Sequence, residues 1–328
     1  MIDDIKVSIL TLAYNHELYI RQCLDGIIMQ QTNFKFELLI HDDASTDETA
    51  NIIREYEKKY PNILKPIYQK ENQYSKGIPI GTTFLYPRAK GKYIALCEGD
   101  DYWIDPYKLQ KQVDFLESNP EYSLIYTDYN ILDQKKNIII NDLIKSGQRT
   151  IISNFEQHLS TRGYIAPMSW LFKKECISLY DNYKGEKAID TSFIFALEIF
   201  LNKKVYYMND TTCVYRILPN SASHSTSIEN KYEYNKNLHN IQLYYSNKYS
   251  VSTDTLERLN WLYKDYSYYI LAINDKEKIQ GAITYLRNTK SKNLKSKIIL
   301  LLLNYKIGTR LLRLILNFKL ISKNIKVL

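Results

Sequence analysis

Along the first 130 residues, short apolar runs alternate with stretches in which apolar positions recur every three or four residues. Val7-Ser-Ile-Leu-Thr-Leu-Ala13 is the first run, and Ile20, Leu24, Ile27 and Ile28 then recur at i, i+4, i+7 and i+8, the stripe of a helix packed on a sheet. Tyr14-Asn15-His16 joins strand to helix, with Asn15 as the predicted N-cap. Phe36 to Ile40 predicts the second strand. It runs into His41-Asp42-Asp43-Ala44-Ser45-Thr46-Asp47-Glu48, where Ser45 and Glu48 have capping-box spacing for a helix carrying Ile52, Ile53 and Tyr56 and stopped by Pro61. Leu64 to Tyr68 predicts a third strand, Gln69 to Gly81 a polar loop, and residues 82–90 a short helix or turn. Tyr93 to Cys97, bounded by Gly91 and Gly99, predicts a strand buried on both faces. Asp105-Pro106 supplies an N-cap and a proline at N1 for a helix with Leu109, Val113 and Leu116 on its apolar stripe, and Leu124 to Thr127 predicts the next strand. Strands and helices alternating at this spacing predict an α/β fold, Rossmann-like, with a doubly wound, mostly parallel sheet. From about residue 228 the sheet pattern gives way to helical pieces such as Thr255 to Ile273. The expected organisation is an α/β domain over residues 1–225 and a helical, basic C-terminal extension over 226–328.

That pattern places two acidic clusters at the carboxyl ends of strands: Asp42-Asp43, and Glu98-Gly99-Asp100-Asp101. In open α/β sheets this edge is where ligands bind, and adjacent carboxylates repel unless a cation joins them. The clusters therefore point to a metal and diphosphate site; taken alone, the letters EGDD equally fit a solvated acidic turn. Neither G-x-G-x-x-G nor G-x-x-x-x-G-K-[ST] occurs, and no glycine precedes Gly26, which argues against a Rossmann dinucleotide site and a P-loop. A sugar nucleotidyltransferase places a glycine-rich basic loop after its first strand, unlike Tyr14-Asn15-His16. Tyr14 reads either as core packing or as a ring on which a nucleobase stacks.

The chain has 328 residues, 45% of them apolar, ample for a full core. Cys23, Cys97, Cys176 and Cys213 lie far apart without C-x-x-C spacing, so neither a zinc site nor a disulfide framework is expected. With no signal-peptide pattern at the N-terminus, a cytoplasmic location is expected. The formal charge of +8 is uneven: twelve Lys or Arg and no Asp or Glu follow Glu277, which leaves −4 for residues 1–277. The basicity belongs to the tail, against a nucleic-acid groove in the main body. Ile298 to Leu303 is six apolar residues, short of the ~20 that span a bilayer. Lys306 to Leu320 mixes Leu, Ile and Phe with Lys and Arg, as a helix lying on an anionic membrane surface does; a packed helical hairpin is the alternative.

Val7-Ser-Ile-Leu-Thr-Leu-Ala-Tyr-Asn15, His41-Asp-Asp-Ala-Ser-Thr-Asp47 and Gly91-Lys-Tyr-Ile-Ala-Leu-Cys-Glu-Gly-Asp-Asp101, in this order and spacing, resemble the successive motifs of the family 2 inverting glycosyltransferases of the GT-A fold, in particular bacterial members that build cell-surface polysaccharide. The similarity covers about residues 5–220. It implies transfer of a sugar from a nucleotide-diphosphate sugar, uridine-linked by preference, to a glycan or lipid-linked acceptor at the inner face of the cytoplasmic membrane. It further implies that Ala13, Tyr14 and Asn15 line the nucleotide, that Tyr14 stacks on the base, that Asp43 accepts from a base N–H and that Asp42 shapes the same pocket. In the DXD-like motif, Asp100 contacts the sugar or ribose and Asp101 ligates Mn²⁺ or Mg²⁺ bridging the phosphates; Glu98 stands where the literal motif has Asp. Asp190, before the helix carrying Phe193, Leu197 and Phe200, takes the place of the family's catalytic base, although its position alone favours a plain N-cap. Ile165 to Phe172 takes the place of a strand flanking the acceptor cleft, with Ser169 or Trp170 near the acceptor. Val214-Tyr-Arg-Ile217 resembles the closing Y-R element, with Arg216, or His224 beyond it, near the diphosphate. The other classes kept open are a sugar nucleotidyltransferase and a catalytically silent glycan-binding relative.

Overall fold

The computed structural model describes residues 4–160, 165–218, 228–259 and 280. The apolar runs form β1 (Ile5–Ala13), β2 (Lys35–Asp42), β3 (Leu64–Tyr68) and β4 (Tyr93–Leu96), with α1 (Ile20–Ile28) and α2 (Thr49–Lys59) between the first three. Then come β5 (Tyr102–Trp103), α3 (Lys108–Ser118), β6 (Tyr122–Asp133), β7 (Ile138–Ile140), α4 (Phe155–Ser160), β8 (Leu171–Lys173), α5 (Thr191–Asn202), β9 (Lys204–Ile217) and α6 (Ile228–Lys248). The strands make one mixed sheet in the order β3-β2-β1-β4-β8-β6-β9-β5, with β7 added to β6. β1 pairs in parallel with both β2 and β4, and β2 with β3, so four strands present their carboxyl ends to one edge. β8 runs antiparallel between β4 and β6, and β6 and β9 are again parallel. Val7, Ile9, Leu38, Ile40, Ile94 and Ala95 are fully buried, as strands covered on both faces require. α1 turns Ile20, Cys23, Leu24 and Ile27 onto the sheet. Gly26 lets this helix lie against β5, because a Cβ there would come within 2.7 Å of the Trp103 carbonyl oxygen.

Several local expectations are corrected. Asn15 does not cap α1: it sits in the left-handed region at φ 53°, and α1 starts five residues later behind Tyr19. The Ser45/Glu48 capping box does not form, because Ser45 is drawn to Asn15 and the Thr49 N–H bonds to Asp47 instead. α3 begins at Lys108, two residues beyond Pro106, and Asp105 caps the preceding turn by accepting the Tyr107 N–H at 2.8 Å. The stretch 165–172 is a strand only from Leu171. Pro167, which has no N–H for a sheet ladder, opens a 3₁₀ turn over Pro167–Ser169.

The described residues fall into two compact units. Residues 4–158, 165–184 and 192–218 form the first, which holds the sheet; 159–160, 185–191, 228–259 and 280 belong to the second. In the second unit α6 pins the segment before α5: the Asn237 side chain accepts the Ile189 N–H at 2.7 Å and donates to the Lys187 carbonyl at 2.8 Å, and Asn240 donates to Glu186. His224 and the basic stretch 306–320 lie outside the described residues, as does the apolar sextet 298–303.

Candidate active site

The end of β1 is the middle of the site. Its last two carbonyls serve opposite neighbours: Leu12 accepts the Gly99 N–H and Ala13 accepts the Asp43 N–H, each at 2.9 Å. Both acidic clusters are thereby fastened to one strand end. The loop after β1 is stitched to the loop after β2 by reciprocal bonds. The Asn15 N–H donates to Ser45 Oγ at 2.9 Å and Asn15 Oδ1 accepts the Thr46 N–H at 2.8 Å, while the His16 and Glu17 N–H groups reach Thr49 Oγ1 and Asp47. Tyr14, 44% exposed, is left projecting at this edge with its ring available.

Asp43 is buried, and its two carboxylate oxygens accept the Gln73 and Tyr74 N–H groups at 2.8 and 3.0 Å. It therefore ties the 69–81 loop to the edge, an arrangement no spacing argument foretold because the partners lie thirty residues on. Asp42 is also buried. Burial holds its carboxyl above the usual carboxylate range against the opposing pull of the Ser45 hydrogen bonds, and its Oδ1 has no hydrogen-bond partner among the described residues.

On the other side, Asp101 is 4% exposed and Asp100 half-buried. Burial, reinforced by the charges of Asp100 and Glu98, raises the Asp101 carboxyl well above its usual value. The opposing influence is the Arg216 backbone N–H, 2.7 Å from Oδ1. Arg216 also grips the loop with its side chain, Nε donating to the Asp100 carbonyl while Nη1 and Nη2 donate to Gln134 and Gln22, each at 2.7 Å. Its guanidinium lies 4.8 Å from the centroid of the Tyr19 ring and 5.1 Å from that of Tyr102, within cation–π range of both. Arg216 thus positions the acidic loop through main chain and side chain together.

Hard carboxylate oxygens with one strongly disfavoured negative charge are what a divalent cation satisfies. Among the described residues no group of three or more His, Cys, Asp or Glu side chains forms a metal cage. Such a set suits a cation held by one or two carboxylates with the remaining ligands supplied by substrate phosphates.

Two histidines at this edge were given no role in the sequence reading, although His41 opens the second motif and His16 follows directly on the first. His16 packs over Gly99, where a Cβ would lie 2.7 Å from its Nδ1, so only glycine lets the acidic turn pass. Burial holds the His16 imidazole below its usual value, against the charges of Asp100 and Asp47. His41 is fully buried beside Phe84, its ring 5.1 Å away, and burial likewise lowers its pKa. Gln22 and Gln134 carried no signal, coming from a helix face and a hairpin turn.

Ser169 and Trp170, expected beside an acceptor, are instead core residues. Ser169 is fully buried with its hydroxyl donated to the Ala166 carbonyl at 2.7 Å, and Trp170, 1% exposed, packs on Phe195. The 3₁₀ turn at Pro167 folds both inward. Asp190 precedes α5 and belongs to the second unit, where its Oδ2 accepts the Tyr234 hydroxyl at 3.1 Å.

Two solved structures share this fold at sequence identities too low to show more. Staphylococcus aureus TarS residues 1–349 in complex with UDP-GlcNAc matches with a TM-score of 0.58 and 17% identity over 95% of this chain and 89% of that one. The mannosyltransferase PcManGT from Pyrobaculum calidifontis, in complex with GDP-Man and Mn²⁺, matches with a TM-score of 0.55 and 16% identity over 98% and 87%. Among curated relatives, the uncharacterized protein Rv1520 of Mycobacterium tuberculosis is 44% identical over 126 residues, 38% of this chain and 36% of that protein's length. The putative teichuronic acid biosynthesis glycosyltransferase TuaG of Bacillus subtilis is 28% identical over 251 residues, 66% of this chain and 96% of that protein. The model of glycosyl transferase family 2 matches residues 8–177, more than half the chain and every segment that builds the edge described above except β9. By that match, running from β1 through both acidic clusters, the chain belongs to glycosyl transferase family 2.

Proposed function

We propose that this glycosyltransferase moves a sugar from a nucleotide-diphosphate sugar, uridine-linked by preference, to a glycan or lipid-linked acceptor in bacterial cell-surface polysaccharide assembly. The observation that carries this reading is the convergence on one strand end of the exposed Tyr14 ring, the buried Asp42-Asp43 pair and the Arg216-held Asp100-Asp101 turn. The UDP-GlcNAc complex of TarS and the teichuronic acid role named for TuaG support the donor and pathway class. In this reading Ala13, Tyr14, Asn15, Asp42 and Asp43 receive the nucleotide, and Asp100 receives the ribose or sugar. Asp101 would hold Mn²⁺ or Mg²⁺, a choice supported by the Mn²⁺ of PcManGT. The cation, when bound, neutralises charge on the departing diphosphate.

The transfer is inverting, with Asp190 taking the acceptor hydroxyl proton; support for that role is its place before α5 and the Tyr234 hydroxyl that orients its carboxylate. The enzyme works peripherally at the inner face of the cytoplasmic membrane, its catalytic domain spanning 1–225 and its basic helical extension 226–328. None of the described helices is long and apolar enough to cross a bilayer. The test is donor turnover with UDP-Glc and UDP-GlcNAc in Mn²⁺ against EDTA. Metal-dependent release of the nucleoside diphosphate is expected; pyrophosphate release would mean a nucleotidyltransferase, and no turnover with retained glycan binding a silent relative.

A further inference from the structure

The turn between β6 and β7 is an unusual piece of surface. Residues 134–140 read Gln-Lys-Lys-Asn-Ile-Ile-Ile, two cations and three branched apolar side chains without an acid. The hairpin is well made: Ile131, Leu132 and Asp133 pair antiparallel with Ile140, Ile139 and Ile138, and Asn137 turns the chain in the left-handed region at φ 53°. Asp133 anchors the turn by accepting the Lys136 N–H at 3.1 Å and pairing with its ammonium at 3.0 Å. Yet Ile138 is 52% exposed and Ile139 48%. Neighbouring strand residues point to opposite faces, so the tip is bare on both sides. A flat protein surface covers one face of a hairpin; insertion edge-on among lipid headgroups covers both. Lys135 and Lys136 outweigh Asp133 at the same tip, and that net positive charge complements an anionic leaflet. The first residue of the turn is fastened to the acidic turn, because Gln134 Oε1 accepts from Arg216, which in turn grips the Asp100 carbonyl.

We propose that the β6–β7 hairpin is a membrane-docking wedge, seated in an anionic bilayer by Ile138, Ile139, Lys135 and Lys136, that brings the Asp100-Asp101 edge to the depth of a lipid-linked acceptor. This rests on the lipid-linked reading of the acceptor and adds a surface distinct from the basic C-terminal extension. The chain suits a local test, since Cys23, Cys97, Cys176 and Cys213 are all buried. A cysteine introduced by Ile138→Cys in the full chain can therefore carry an environment-sensitive fluorophore selectively, with Lys58→Cys on α2, near the β3 end of the sheet, as control.

On adding phosphatidylglycerol vesicles the label at 138 should move to shorter wavelength and brighten, less so with phosphatidylcholine, while the label at 58 stays unchanged. In unlabelled protein, Ile138→Ser with Ile139→Ser should lower vesicle partition about tenfold and slow transfer to an acceptor embedded in vesicles. Nucleoside diphosphate binding and donor hydrolysis should hold, which separates failure of the wedge from failure of the donor reading. No spectral change at 138 on vesicles that bind the protein would overturn the wedge. So would a change that appears without lipid and grows with protein concentration, which assigns the bare β7 edge to self-association.

Discussion

In the proposed reaction Asp101 carries the cation, and its environment makes its behaviour with pH predictable. Its carboxyl is raised well above the usual range by burial and by Asp100 and Glu98, which disfavour its charged form. Holding a cation requires that charged form, so proton and metal compete: affinity for Mn²⁺ with UDP should strengthen as pH rises above the ordinary carboxylate range and collapse as it falls. Calorimetric titration at several pH values checks this, and a pH-independent affinity would place the cation elsewhere. Asp101→Asn keeps the hydrogen bond from the Arg216 N–H and removes the charge, so folding should survive while metal-dependent nucleotide binding and most activity are lost. Asp190→Asn separates chemistry from binding: UDP and Mn²⁺ should bind as in the parent while transfer falls by ~10²-fold or more. Equal losses in both would make Asp190 structural. Asp42, Asp43, Asp100 and Asp101 were legible in the sequence because strand ends announce themselves through the apolar runs before them. What each carboxylate touches was not. Asp43 meets backbone N–H groups of a loop thirty residues on, and Asp101 one from a strand more than a hundred residues later.

At the scale of elements, periodicity located β1 to β4 and α1 to α3 within a few residues, since each carries apolar residues at its own period. It failed where polar side chains do structural work. The caps assigned to Asn15 and Ser45 instead lock two loops together, and the short β8 hides behind a 3₁₀ turn. α3 shows the same limit: beside the expected Leu109, Val113 and Leu116 it buries Lys108 and Gln112. The Lys108 ammonium donates to Gln112 Oε1 at 2.6 Å and sits 4.5 Å from the Trp103 ring, while Gln112 donates to the Ser169 carbonyl at 2.8 Å. Burial brings Lys108 down to about 8 from 10.5. Between those values the unfolded chain holds a proton that the fold does not, so this residue penalises the fold below about pH 8 and releases the penalty as pH rises toward 10.5. Lys108→Met removes the penalty but leaves Gln112 Oε1 without its donor, changes of opposite sign near neutrality. The clear expectation is in the slope. Urea unfolding at pH 7.5 and 9.5 should show the parent gaining on the variant as pH rises, and parallel pH profiles would mean that Lys108 stays charged in the fold.

For the whole molecule, the sequence foretold an α/β sheet with both acidic clusters on one edge, and the antiparallel β8 inside that sheet is the part it did not reveal. It also shows a separation of charge, with every acid at or before Glu277 and twelve cations after it. Such cations contribute on the order of 1 kcal/mol each when close to an anionic leaflet, and screening over a Debye length of about 8 Å at physiological salt reduces that. The apolar side chains from Leu311 to Leu320 would add burial that salt does not screen. Deleting residues 290–328 should therefore cut partition onto phosphatidylglycerol vesicles by at least about tenfold and flatten its salt dependence. The sheet-bearing part should still bind UDP with Mn²⁺, because every residue assigned to the donor lies before residue 102 and Arg216, which braces the acidic turn, remains. The residual, weakly salt-dependent binding should then belong to the β6–β7 wedge and disappear with Ile138→Ser and Ile139→Ser. Unchanged partition after the deletion would show that the basic extension does not meet the bilayer, and a truncated chain that cannot fold would show that its helices belong to the core.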